Sequence, residues 1–138
     1  MGLIIDTSAL VAWERNQAVG VKAASLANEL IYMPAIVWAE ALIGVRLADT
    51  PVKAAQRRAR LELIRSLVAL KPFTPDYAEH YADIYAELKS AGTPIPQNDM
   101  MVAATARAMN LRVLVSAKDE NHFRMVKGLG VQVFPHES

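Results

Sequence analysis

Apolar and polar positions alternate along this chain in two kinds of block. Short apolar runs rich in β-branched residues read as buried strands, and longer stretches with apolar residues three and four apart read as helices. Leu3-Ile4-Ile5 is the first run, and it stops at Asp6-Thr7-Ser8. A helix is predicted over Ser8 to Asn16, with Thr7 or Ser8 as N-cap and Ala9, Leu10 and Trp13 on its apolar side. A second is predicted from about Val19 to Leu30, presenting Val21, Ala24, Leu26 and Leu30. Ile31-Tyr32-Met33 is then a strand, closed by Pro34. Ala35 to Ala48 is helical, and Asp49-Thr50-Pro51 breaks it and opens the next helix. That helix runs to about Leu67 with the stripe Leu61, Ile64, Leu67 and Val68.

Val68 to Phe73 reads as another strand, and Thr74-Pro75 starts a long helix ending near Gly92. Its Tyr77, Tyr81, Tyr85 and Leu88 are spaced for packing. Asn98 is expected to cap a helix of small residues from Asp99 to Asn110. A strand over Arg112 to Val115, a short helix over His122 to Lys127 and a last strand over Val131 to Phe134 complete the chain. Strands separated by helices imply right-handed crossovers and a sheet covered on both faces. The predicted fold is a three-layer α/β/α sandwich with a central, mostly parallel sheet.

Composition narrows this picture. With 138 residues, 53% of them hydrophobic, one domain spanning 1–138 with a proper core is expected. No stretch approaches the roughly 18 unbroken apolar residues of a membrane helix. No basic region followed by a long apolar run opens the chain, so no signal peptide is expected. The absence of cysteine excludes disulfides and thiolate metal sites and fits a reducing cytoplasm. The net charge of +1 is too mild to announce nucleic-acid binding. Arg57, Arg58, Arg60 and Arg65 crowd one segment, and Lys118, Arg124 and Lys127 another; each reads as part of a solvated helix face.

Four acidic positions change the picture more. In open parallel sheets, ligands gather at the carboxyl ends of the strands, where the crossover helices begin. Asp6 ends the first strand, Glu40 lies early in the helix after the second, Asp99 starts its helix, and Asp119 follows the strand Arg112 to Val115. All four map to one sheet edge. Glu40 shares the spacing of Ile36, Ile43 and Leu47, which places a charge in an apolar stripe. The alternative to a ligand cluster for such a glutamate is a buried salt bridge to an arginine, and the ligand cluster is the preferred reading. Asp99 alone is what a helix dipole favours, and Asp119 alone is ordinary turn chemistry, with Asn121 as a substitute ligand.

Together the four suit a hard cation such as Mg²⁺ or Mn²⁺ and metal-assisted hydrolysis of a phosphodiester, with one or two ions. Thr7, Ser8 and Ser116 are placed to hydrogen-bond the ligands or a substrate phosphate. His80, His122 and His136 fall on unrelated elements and suggest no site of their own.

The ordered set is Asp6-Thr7-Ser8, Trp38-Ala39-Glu40 with Gly44, Pro96-Gln97-Asn98-Asp99 before Ala103-Ala104-Thr105-Ala106, and Leu114-Val115-Ser116 with Asp119, His122-Phe123 and Gly128-Leu129. It resembles the PIN-domain ribonucleases over essentially the whole chain, and within them the VapC toxins of type II toxin–antitoxin modules. The resemblance implies a Mg²⁺- or Mn²⁺-dependent endoribonuclease cutting structured RNA, often transfer RNA. It also implies a homodimer, and a cognate antitoxin that covers helices of the toxin and blocks the acidic pocket. Asp6 and Asp99 match the family's principal metal ligands, Glu40 its third acid and Asp119 its fourth. Val52 to Leu70 then serves either as core and surface or as an apolar groove for an antitoxin helix.

Two rivals follow from the residues. A non-catalytic PIN-like module binding RNA or protein would be expected to have lost acids, and Asp6, Glu40 and Asp99 are intact. An aspartyl-phosphate phosphatase would want a second Asp where Ser8 stands, and a receiver domain would want paired acids before the first helix.

Overall fold

The computed structural model describes residues 2–16 and 20–135. Five strands form one sheet: β1 (Gly2–Ile5), β2 (Leu30–Pro34), β3 (Ala69–Lys71), β4 (Arg112–Val115) and β5 (Val131–Val133). Their order is β3-β2-β1-β4-β5, and every pairing is parallel. β1 is the middle strand, and Leu3, Ile4 and Ile5 are fully buried. An unbroken β-branched run covered on both faces is what a central parallel strand requires.

Six α-helices connect the strands: α1 (Thr7–Arg15), α2 (Ala35–Arg46), α3 (Pro51–Arg65), α4 (Pro75–Ala91), α5 (Gln97–Met109) and α6 (Glu120–Arg124). α1, α2 and α3 pack on one another, and α5 packs on both α4 and α6. Right-handed crossovers put these two groups on opposite faces, because the chain walks outward from β1 to β3 and then returns past β1 to β4 and β5. The predicted α/β/α sandwich is therefore the observed fold.

Local signals account for several boundaries. Thr50 and Thr74 each cap a helix with Pro at its start, their hydroxyls accepting from the N–H of Lys53 and Tyr77. α4 ends at Gly92 with φ +71, a left-handed conformation that glycine adopts at little cost. α5 is built from small residues: Ala103, Ala104 and Ala106 are fully buried, which lets it lie close to β1, β4 and α4.

Three expectations need correction. The helix predicted from Val19 to Leu30 is not formed; Val19 itself lies outside the described residues. Only a single 3₁₀ turn, Ala24–Leu26, is present. Val21 is exposed, Leu26 is core and Leu30 starts β2. The apolar positions of this segment never shared one helical face, and β2 recruits the last of them. α5 starts at Gln97 rather than Asp99, with Pro96 as N-cap, so Asn98 lies inside its first turn. The N-cap of α1 is neither Thr7 nor Ser8 but Asp6, whose side chain accepts from the Ser8 N–H.

The arginines of α3 also differ from the solvated face expected of them. Glu14 of α1 is 4% exposed and takes two of them, with Arg57 Nε 2.7 Å from Oε1 and Arg60 Nε 3.4 Å from Oε2. Arg58 and Arg65 lie over the Trp38 ring, with guanidinium carbons 5.9 and 5.2 Å from its centroid. α3 is thus joined to α1 by a buried ionic contact and to α2 by cation–π stacking. Gly44 makes room for this, since a Cβ there would meet Arg57 Nη1 at 2.6 Å.

Candidate metal centre

β1 and β4 are neighbours, yet the chain leaves β1 toward β2 and leaves β4 toward β5. Connections that diverge from adjacent parallel strands open a crevice at their carboxyl ends. Asp6 follows β1 at this crevice, and Ser116 to Asp119 follow β4. The two sides are pinned together where the Asp6 N–H donates to the Leu114 carbonyl at 2.9 Å.

Asp6-Thr7-Ser8 divides three tasks among consecutive residues. Asp6 is 1% exposed, and its Oδ2 accepts from the Ser8 hydroxyl at 2.7 Å and from the Ser8 N–H at 3.2 Å. Both bonds fall on one oxygen, leaving Oδ1 for another ligand. Ser8 Oγ in turn accepts from the Ser116 N–H at 3.0 Å, so a chain of hydrogen bonds crosses the crevice from the β4 loop to Asp6. Ser116 takes part in this chain through its backbone nitrogen. Thr7 Oγ1 points elsewhere and donates to Glu40 Oε1 at 2.6 Å.

Asp6, Asp99 and Asp119 each offer an oxygen within 4.8 Å of the others. Burial first, and then the Asp99 and Asp119 charges, push the Asp6 carboxyl up from 3.8 to about 6 against the lowering effect of Ser8. Asp99 is also raised, by burial first, with Asp119 and Glu40 adding to it and His122 opposing. Carboxylates arranged to repel one another in a desolvated notch form a site waiting for positive charge. The donor set is all oxygen and anionic, which fits Mg²⁺ or Mn²⁺ and does not fit a thiolate-seeking or imidazole-seeking metal.

Glu40 stands one step outside this trio. It is near enough to Asp99 for its charge to matter, and α2 and α5 touch. The reasoning from its stripe needs revision, however. Ile43 and Leu47 are 55% and 76% exposed, and the buried face of α2 is Val37, Ala41 and Val45. Glu40 is only half-buried, and its partner is a hydroxyl rather than an arginine. The buried ion pair that Glu40 brought to mind is formed instead by Glu14, whose role its sequence position did not signal. One participant was missed altogether. His122 Nδ1 lies 2.6 Å from Asp99 Oδ2. Its place three residues after Asp119 and directly before the buried Phe123 was the available signal.

A family profile described as the PIN domain matches residues 3–129. The chain belongs to the VapC-type PIN-domain family. It is 35% identical over 136 residues to Ribonuclease VapC of Rickettsia bellii, with 98% of each chain covered. To Ribonuclease VapC1 of Rickettsia felis it is 36% identical over 132 residues, with 95% of each covered. A solved structure of VapBC2 from Rickettsia felis, bound to a promoter DNA fragment, matches with a TM-score of 0.82 at 23% identity. The match covers 97% of this chain and 99% of that one, and at such identity it carries the PIN fold alone. Among the described residues, no helix of this PIN domain is long and apolar enough to cross a membrane.

Proposed function

We propose that the chain is a divalent-metal-dependent endoribonuclease acting on structured RNA, transfer RNA included, and that it serves as the toxin of a VapBC-type module. The observation that carries this reading is the meeting of Asp6, Asp99 and Asp119 within 4.8 Å at the β1/β4 crevice. The ribonuclease names of two relatives at 35% and 36% identity support the substrate class. Similarity to solved VapBC structures supports a cognate antitoxin as partner.

Asp6, Asp99 and Asp119 would hold Mg²⁺ or Mn²⁺, with Glu40 beside them. Such an ion, when bound, lowers the pKa of water and offsets charge on a phosphoryl oxygen. The protein's own groups supply orientation. Ser8 fixes one oxygen of Asp6, and the Ser116 N–H fixes Ser8. Thr7 holds one oxygen of Glu40, and the other oxygen would take a proton from an attacking water. Burial of Asp6 excludes bulk water from one side of the pocket and strengthens every charge interaction within it. In this reading the chain works as a single domain, as a homodimer, in the cytoplasm.

Purified protein is incubated with structured RNA in Mg²⁺ or Mn²⁺, beside Asp6→Asn and Asp99→Asn. Cleavage by the wild type alone, abolished by chelation, is the expected result. No cleavage with either ion, together with harmless expression in cells, overturns the toxin reading and leaves a binding module.

A further inference from the structure

We propose that His122 is a positioning residue of the acidic pocket, holding Asp99 and the turn that carries Asp119 at the separation a divalent cation needs. The inference rests on the metal-dependent reading above and adds a residue to it. His122 Nδ1 lies 2.6 Å from Asp99 Oδ2, the length of a charge-assisted contact. The Asp99 side chain is 14% exposed and that of His122 37%, so the contact is part-buried, with the imidazole on its more exposed side.

The backbone of His122 serves the other carboxylate. Its N–H donates to the Asp119 carbonyl at 3.1 Å, and the Asp119 N–H donates to the Ser116 carbonyl, also at 3.1 Å. The residue that grips Asp99 therefore also closes the turn on which Asp119 stands. Phe123, its neighbour, is fully buried and anchors α6 against the core. One side chain thus bridges α5 and the β4–α6 turn, the two elements whose carboxylates repel each other. With that bridge gone, repulsion favours separation of Asp99 from Asp119. A ligand carboxylate held by a neighbouring donor binds metal more tightly than a free one, and loss of such a partner costs about 10–100-fold in metal affinity or activity.

Asparagine shares the histidine framework as far as Cγ, so its amide nitrogen falls where Nδ1 stands. His122→Asn keeps the donor to Asp99, and His122→Ala removes it. Calorimetric titration with Mn²⁺ on wild type and both variants, with kcat and KM on one RNA, tests the role. His122→Ala is expected to weaken Mn²⁺ binding about 10-fold and to lower kcat while KM for RNA stays within about 2-fold. His122→Asn is expected to bind Mn²⁺ within about 3-fold of wild type, with an unchanged urea midpoint. Wild-type Mn²⁺ affinity in His122→Ala overturns the inference. So does His122→Asn failing as His122→Ala does, which remains decisive if the alanine variant does not fold. A wild type that binds no Mn²⁺ instead removes the metal site itself, an outcome distinguished by that arm alone.

Discussion

Asp6→Asn should stabilise the metal-free protein while abolishing its activity. Asparagine retains an oxygen to accept from the Ser8 N–H, so the cap of α1 survives. What disappears is a negative charge that burial and two neighbouring carboxylates disfavour. The folded-state value of about 6, against an ordinary 3.8, means that the folded protein binds this proton more tightly than the unfolded chain does. Stability from Asp6 is therefore fully present below pH 3.8 and is lost as pH rises through 6. Integrated to pH 7.5, the wild type has lost about 3 kcal/mol that an uncharged residue would keep; at pH 4.5 the loss is only about 1 kcal/mol.

Urea unfolding in EDTA, followed by the fluorescence of Trp13 and Trp38, measures the gap between the two proteins at both pH values. A difference of about 3 kcal/mol at pH 7.5, shrinking to about 1 at pH 4.5, is expected. Saturating Mn²⁺ should close or reverse the gap by stabilising the wild type alone. An asparagine variant less stable than wild type at pH 7.5 without metal would refute the reasoning, as would a gap independent of pH.

Other predictions follow from particular contacts. Thr7→Val leaves Glu40 without its hydroxyl donor; kcat should fall roughly 10-fold in steady-state RNA cleavage, with KM and the urea midpoint little changed. Arg57→Ala should cost about 3 kcal/mol in urea unfolding because Glu14 stays buried with only the longer Arg60 contact, whereas Glu14→Met should cost less than half as much. Equal midpoints for these two variants would contradict the assignment. Gly92→Ala forces a side chain into a left-handed backbone and should lower the melting temperature by an amount matching about 1 kcal/mol. Removal of divalent ions by EDTA should abolish RNA cleavage without unfolding the wild type, which circular dichroism and a gel assay check together.

The strands and long helices were legible because their signals are local. Leu3-Ile4-Ile5 can only be comfortable in a covered strand, and Thr50-Pro51 and Thr74-Pro75 mark helix starts regardless of surroundings. Asp6 and Asp99 were legible because strand ends and helix starts meet at one sheet edge in any parallel α/β fold. The segment from Gly20 to Glu29 was not, since its apolar residues answer to different neighbours rather than to one face. Glu40 was selected through a stripe whose outer half turned out to be exposed. The interactions of Glu14 and His122 join residues at least 23 positions apart, and no periodicity reports such pairings.

The strand order also sets a timetable. The pocket needs Asp6 together with Val115 to Phe123, which are made more than a hundred residues later. Until β4 is available, β1 is a strand with one bare edge, and Asp6 has neither the Leu114 carbonyl beside its backbone nor Asp119 across the crevice. A growing chain therefore carries no assembled acidic pocket until the segment through Phe123 has been made and β4 has paired with β1.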